Sequence, residues 1–305
     1  MAAFLVRRLL QAVIVLFVVS VLVFVVVFAM GDPVRAFVPI NASASDVENI
    51  RHQYGLDQPL WLQYLSFLQH AATGDLGESF KFRESAMALV LERLPLTAAL
   101  AITSILIASA IAIPLGIVAA TRRGSGWDHL ATAGSMLTIS IPSFWLGILL
   151  ILFFAGQLRW VPASGVAGVS SIWLPAITLA AFPLGLMTRV VRASVLGELR
   201  HMYLTTARAK GLAERVVIYR HALRNALLPI ITVLGLQLGA QLGGSVIVET
   251  VFAWPGVGWL LIQAIGAHDL PLLRANVLVI AIVFIAINAV TDVLYAVVNP
   301  RIRFA

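Results

Sequence analysis

The 305-residue chain has no cysteine, two lysines, and charged residues at only 11% of its positions. Without cysteine there is no disulfide, no thiolate metal site and no thiol nucleophile, although the absence fits either redox compartment. Neither Lys81 nor Lys210 stands in G-x-x-x-x-G-K-[ST], which excludes that phosphate-cradling loop. The six histidines form no H-E-x-x-H, and no serine lies in G-x-S-x-G. Ser164-Gly165 has small-residue surroundings but falls in a loop beside Pro162, a poor place for an intramembrane nucleophile. The shortage of charge also sets the class. Soluble domains carry about 25% charged residues, whereas this chain is 60% hydrophobic with mean hydropathy +0.96. A soluble protein of this size could not clothe its surface with that composition. The expected fold class is an all-α, polytopic membrane protein.

The first apolar run, Leu9 to Met30, has no charge, and 22 residues at ~1.5 Å each cross a hydrocarbon core of roughly 30 Å. It exceeds the about 7–15 apolar residues of a signal peptide, and no A-x-A-like cleavage site follows. Five further spans are expected at about Thr97–Ala120, Leu130–Phe154, Ile172–Val190, Leu227–Val248 and Ala275–Val298, giving six transmembrane helices. Pro175 and Pro183 interrupt the fourth, and Arg189 and Arg192 cut into its end. Pro114 and Pro142 are placed to kink the second and third, which membrane helices tolerate when neighbours satisfy the freed carbonyls.

The basic residues set the orientation. Arg7/Arg8, Arg122/Arg123, the stretch Arg189–Arg224 and Arg301/Arg303 hold 14 of the 21, against three acids outside the spans, Asp128, Glu198 and Glu214. By the positive-inside rule these segments, and both termini, are expected in the cytoplasm. Three regions follow: 1–30 with the first span, an extracytoplasmic region at 31–96, and a five-helix core at 97–305 that includes a cytoplasmic loop at 191–226. A pI near 10.5 invites a nucleic-acid reading, but the charges sit where topology needs them and no nucleic-acid-binding motif is present. In 31–96 a helix-like portion near Asp46–Tyr54, then Gln58–Leu65 and a turn-rich Gly74–Ser79, suggest short amphipathic helices lying at the membrane surface. They would cap the bundle or dock an extracytoplasmic partner.

Only Asp292 puts a charge well within a span, one turn after Asn288; Glu249, Arg189 and Arg192 sit near ends, within reach of the interface. Asp292 suits a structural hydrogen bond, or a proton site if the chain were an autonomous secondary carrier. A chain this poor in intramembrane charge lacks an energy source of its own. The fifth span carries overlapping G-x-x-x-G patterns, Gly235, Gly239 and Gly243, which allow close helix packing or line a path. Gln237 and Gln241, four apart on one face, are placed to offer hydrogen bonds to a passing polar substrate.

The stretch Arg189–Arg224 carries eight Lys+Arg. Within it Met202–Ala209 can form a short helix, Gly211 can supply the positive-φ residue that ends it, and Glu214–Leu223 a second helix before Pro229 opens the next span. A basic loop that only sets orientation and touches anionic lipid is the simpler account of its composition. The residues Thr205-Thr206-Ala207-Arg208-Ala209-Lys210-Gly211-Leu212, followed by Arg220–Pro229, closely resemble the signature loop of permease subunits of bacterial dipeptide/oligopeptide-type ABC importers. The resemblance runs along nearly the whole chain: Arg7–Gln11, Gly31-Asp32-Pro33, Tyr54–Pro59, Gly74–Ser79, Glu92–Pro95, Ile141–Phe144, Glu249–Phe252, Pro255–Gly258, Asp292–Tyr295 and Asn299-Pro300-Arg301. Thr205 stands where the general importer signature has Glu and Thr206 where it has the first Ala, a departure that favours the peptide subgroup; Ala207 and Gly211 match.

The resemblance implies a type I ABC importer permease fold in a bacterial plasma (inner) membrane, and a coupling helix seated in a cytoplasmic ATPase. Thr205, Thr206, Ala207, Arg208, Lys210, Gly211, Leu212 and Arg215 would form that contact. It also implies a second related permease, two ATPase subunits that hold ATP and Mg, an extracytoplasmic substrate-binding protein, and no cofactor or catalysis on this chain. Related permeases serve dipeptides, longer peptides, nickel complexes and glutathione, and these residues do not choose among them.

Overall fold

The computed structural model describes residues 2–29, 43–53 and 56–298. Along the chain the helices are α1 (Ala2–Ala29), α2 (Ala44–Gln53), α3 (Leu60–Thr73), α4 (Ala86–Thr121), α5 (Gly126–Ser140), α6 (Ser143–Leu150), α7 (Trp173–Glu198), α8 (Met202–Ala209), α9 (Glu214–Val216), α10 (Leu223–Val251), α11 (Val257–Gly266) and α12 (Leu270–Val298). Two π-helical stretches, Ile151–Gln157 and Val217–Ala222, extend α6 and join α9 to α10. Among the described residues there is no strand, only an isolated antiparallel bridge between Glu78 and Ser85. Tyr54, Gly55, Gly31-Asp32-Pro33 and residues 299–305 lie outside the described residues, as does the side chain of Asp292.

Among the described residues, five helical stretches are long and apolar enough to cross a membrane: Arg8–Val25, Ala86–Thr121, Val169–Glu198, Glu214–Val251 and Leu270–Thr291. A sixth is formed if Gly126–Ser140 and Ser143–Gln157 count as one broken span; they are bent by 100°. That bend corrects the single helix expected over Leu130–Phe154. Pro142 disfavours helical geometry in the residue before it, and Ile141 is extended at φ −78°, ψ 123°.

Prolines did not stop the other spans. The fourth, expected to end at Val190, continues through Arg192 to Glu198 with Pro183 inside it, and Pro175 sits in its first turn, where no intrahelical donor is needed. Pro229 lies within α10 instead of opening it. Glu249, expected to reach the interface, is fully buried within α10, which continues to Val251.

The chain divides into two compact units. The first, Met1–Thr97 with Pro255–Ile285, is built on Phe24, Phe67, Leu76, Leu89, Val90, Leu260, Leu272 and Leu278. Asp269, fully buried, knits its turn-rich segment to α12: its carboxylate accepts from Ser79 Oγ at 2.5 Å, from the Lys81 N–H at 3.1 Å and from the Leu272 N–H at 3.2 Å. Lys81 Nζ also donates to Gln263. Thr97 Oγ1 accepts from the Val257 N–H at 2.9 Å and Asn276 donates to the Val257 carbonyl at 2.9 Å, fixing the start of α11.

The second unit, Ala98–Trp254 with Ala286–Ala305, packs its helices through small residues. A Cβ added at Gly185 of α7 would lie 2.3 Å from Thr138 Oγ1 and 2.4 Å from the Ser135 carbonyl oxygen of α5. The carbonyl belongs to the backbone and cannot rotate away, so Gly185→Ala forces α5 and α7 apart. The expected cost is ~1–3 kcal/mol, the usual range for overpacking, seen as a lower melting temperature of the purified complex; an unchanged melting temperature would refute the close approach.

Candidate functional site

The basic loop folds as a compact knob. Its helix α8 covers Met202–Ala209, the range read from the sequence, and places Leu204 and Ala207 inward against Val217 and Ala222. Thr205, Thr206, Arg208, Lys210, Gly211, Leu212 and Arg215 are all exposed. Ala207 thus supports the surface that the other seven present.

The turn after α8 depends on Gly211, whose φ is +76°. The Gly211 N–H donates to the Arg208 carbonyl at 2.9 Å and the Leu212 N–H to the Ala207 carbonyl at 3.4 Å. This paired 5→2 and 6→1 pattern around a left-handed residue is a Schellman cap, satisfying carbonyls a helix end otherwise leaves open. Arg208 then reaches over the turn to Glu214 with a two-pronged contact, Nε to Oε2 at 3.1 Å and Nη2 to Oε1 at 2.9 Å. The pairing raises the pKa of Arg208 above its ordinary value, but with both side chains exposed it is worth at most about 1 kcal/mol.

Two anchors were missed in the sequence. Tyr203 Oη donates to Glu198 Oε2 at 2.6 Å and accepts from Asn225 Nδ2 at 2.8 Å, tying the start of α8 to the end of α7 and the start of α10. Burial first, then the Glu198 carboxylate, pushes the Tyr203 phenol above its usual pKa, so it stays a neutral donor. The second anchor joins α5 to α7. Arg192 grips Asp128 with Nε–Oδ1 at 2.6 Å and Nη2–Oδ2 at 2.8 Å, while the Gly124 N–H donates to Asp128 Oδ2 at 2.9 Å. A charge-assisted bidentate pair with one partner buried fixes geometry as well as energy. The available signal was Asp128 standing as a lone acid beside Arg122 and Arg123.

The five residues expected along a path do not share one environment. Gly235 is pressed against Thr291 of α12, Gly239 is buried, Gln237 is half-buried, and Gly243 is exposed with open space around it. Gln241 is buried, and its Nε2 donates to Ser104 Oγ of α4 at 2.9 Å and to the Leu179 carbonyl of α7 at 3.1 Å. Leu179 lies four residues before Pro183, so its carbonyl is the one that proline leaves without a helical donor. The Gln241 amide N–H groups therefore serve the fold, not a passing substrate.

An all-helical membrane chain with a capped basic knob between its fourth and fifth spans has the form of a transporter subunit that meets a soluble partner. The chain belongs to the family described as "binding-protein-dependent transport system inner membrane component", whose model matches residues 112–304, with the companion N-terminal model matching residues 1–101. The glutathione transport system permease protein GsiC of Escherichia coli O6:H1 is 42% identical over 305 residues, covering 100% of each chain, and that of Escherichia coli K12 is 41% identical with the same coverage. Among solved structures, the MetNI methionine ABC transporter in an inward-facing conformation superposes with a TM-score of 0.58 at 21% identity, covering 70% of this chain and 97% of that one. An amino acid ABC transporter with histidines gives 0.52 at 14% identity, covering 68% and 93%. The fold is that of ABC importer permeases. The chain is a membrane-embedded permease subunit of the binding-protein-dependent type, which works with a partner permease, ATPases and a substrate-binding protein; ATP hydrolysis belongs to the ATPases.

Proposed function

We propose that this chain forms half of the pathway of an ATP-driven importer of short peptides in a bacterial inner membrane, with glutathione the first substrate to test. Glutathione is itself a tripeptide, and the observation that carries the proposal is identity of 42% along the full length with a permease named for it. Both termini and the α8 knob face the cytoplasm, as the excess of arginine in those segments supports. Thr205, Thr206, Arg208, Lys210, Gly211, Leu212 and Arg215, backed by Ala207, dock on one of two ATPase subunits that bind ATP and Mg. The exposed face of α10 around Ala240, Gly243 and Gly244, with Gln237 beside it, turns toward the path and the second permease.

Uptake of labelled glutathione and of di- and tripeptides by proteoliposomes holding the complete complex, its binding protein and internal ATP tests the substrate. Saturable, ATP-dependent accumulation of one of these is expected. Accumulation of a nickel chelate with none of the peptides would overturn it.

A further inference from the structure

Helix α3 touches α1 well inside the apolar run of α1. The Tyr64 and Ser20 hydroxyls hydrogen-bond at 2.7 Å, and the Tyr64 ring meets Phe17 and Phe24 edge-on with centroids 6.4 and 5.3 Å apart. Phe67 adds a second ring, 6.2 Å from Phe24, and is itself buried. Ser20 is eleven residues from Leu9 and ten from Met30, the two ends of the run. At ~1.5 Å per residue it lies about 15 Å from either end, half of a hydrocarbon layer of roughly 30 Å. A helix tilt of about 20° shortens that depth by only about 1 Å. Lying on the surface, as the sequence suggested, would not bring α3 to Phe17 and Ser20.

At both ends of α3 the polar groups are hydrogen-bonded, which favours an apolar setting because each unsatisfied polar group is costly there, while the Gln69 side chain is exposed. Gln63 Nε2 donates to the Gln58 carbonyl at 2.7 Å and the Leu56 carbonyl at 3.2 Å, closing the chain's entry to the helix. Thr73 Oγ1 donates to the His70 carbonyl at 2.9 Å, and the His70 ring pairs with the Ser66 carbonyl at 2.7 Å. At the other end Gly74, in left-handed geometry, and Asp75 donate their N–H groups to the Ala71 and His70 carbonyls. Beside the face that meets α1 runs a bare apolar flank, Leu60, Trp61 and Leu65, each more than half exposed.

We infer that α3 is inserted into the leaflet at the C-terminal end of α1, and that Leu60, Trp61 and Leu65 are covered by lipid acyl chains. Contact with α1 sets the depth, and the flank beside that contact faces the hydrocarbon around α1. Its exposed apolar surface is then lipid-facing and not a docking patch for a soluble protein. The inference rests on α1 crossing the membrane and is independent of substrate and coupling.

This chain has no cysteine, so each cysteine introduced into it is a unique labelling site once cysteines of the partner subunits have been replaced. Spin labels at Leu65→Cys and Trp61→Cys are compared with Leu22→Cys on the exposed side of α1 and Glu48→Cys on α2, in the complete complex in nanodiscs with binding protein present. Accessibility to oxygen and to a water-soluble paramagnetic chelate is read for each. Labels at 61 and 65 should match the one at 22, with oxygen strongly preferred. A match to the label at 48 would place the flank in water, and shielding from both reagents would place a protein partner on it; either result overturns the inference.

Discussion

Replacing Gln241 by leucine lowers the melting temperature of the purified complex, and adding Pro183→Ala to the same chain recovers most of the loss. Proline at 183 has no N–H, so the Leu179 carbonyl has no donor from its own helix. Gln241 supplies one from α10 at 3.1 Å and uses the same nitrogen to bind Ser104 on α4 at 2.9 Å. Leucine fills a similar volume but leaves a buried carbonyl unsatisfied, which costs ~1–3 kcal/mol. Hydrogen bonds in membrane interiors often measure nearer ~0.6 kcal/mol, because the unfolded state in lipid finds other partners; about 1–2 kcal/mol is therefore expected. With alanine in place of Pro183 the helix donates to Leu179 itself, and only the Ser104 bond remains to be lost. The two substitutions should couple by about 1 kcal/mol, as contacting residues do. Equal losses from Gln241→Leu with and without Pro183→Ala would show that the amide does not serve the proline.

That contact marks the limit of what the sequence disclosed. Pro183 was visible as an interruption and Gln241 as a polar group in a span, yet they are 58 positions apart in the chain, and only the packing of α7 on α10 joins them. The two glutamines looked alike on spacing, but the fold buries Gln241 and leaves Gln237 half-buried. Asp128 and Arg192 were read as loop acid and helix-end base for the same reason, since nothing local pairs residues separated by 64 positions. Pro142 signalled a kink, but a break with Ile141 extended and 100° between the half-spans is larger than a kink within one helix. The knob was legible because its structure is local: α8 ends where a glycine permits a left-handed turn, and that needs only neighbours in sequence. The class was legible from hydropathy, which acts through length and composition alone.

Gly211→Val should abolish substrate-stimulated ATP hydrolysis by the assembled complex. A Cβ at 211 meets nothing within 4 Å, so there is no clash to relieve. The penalty comes from φ +76°, which a β-branched residue adopts only at a cost of ~1–3 kcal/mol. The chain escapes by leaving the left-handed turn. The bonds to the Arg208 and Ala207 carbonyls then break, and Lys210, Leu212 and Arg215 move off the surface that α8 presents. Asparagine is close to valine in size but tolerates the left-handed region, so Gly211→Asn should keep most of the stimulation. Leu204 and Ala207 hold the inner side of the knob in both variants, so the subunits should still insert and assemble.

ATP hydrolysis in proteoliposomes, with and without substrate-loaded binding protein, tests the coupling assignment most directly. It is measured for the wild-type complex, Gly211→Val and Gly211→Asn after equal insertion has been verified. Stimulation present in wild type and Gly211→Asn but absent in Gly211→Val is the expected result; undiminished stimulation in Gly211→Val would contradict the assignment of this loop as the contact through which ATP hydrolysis drives the spans.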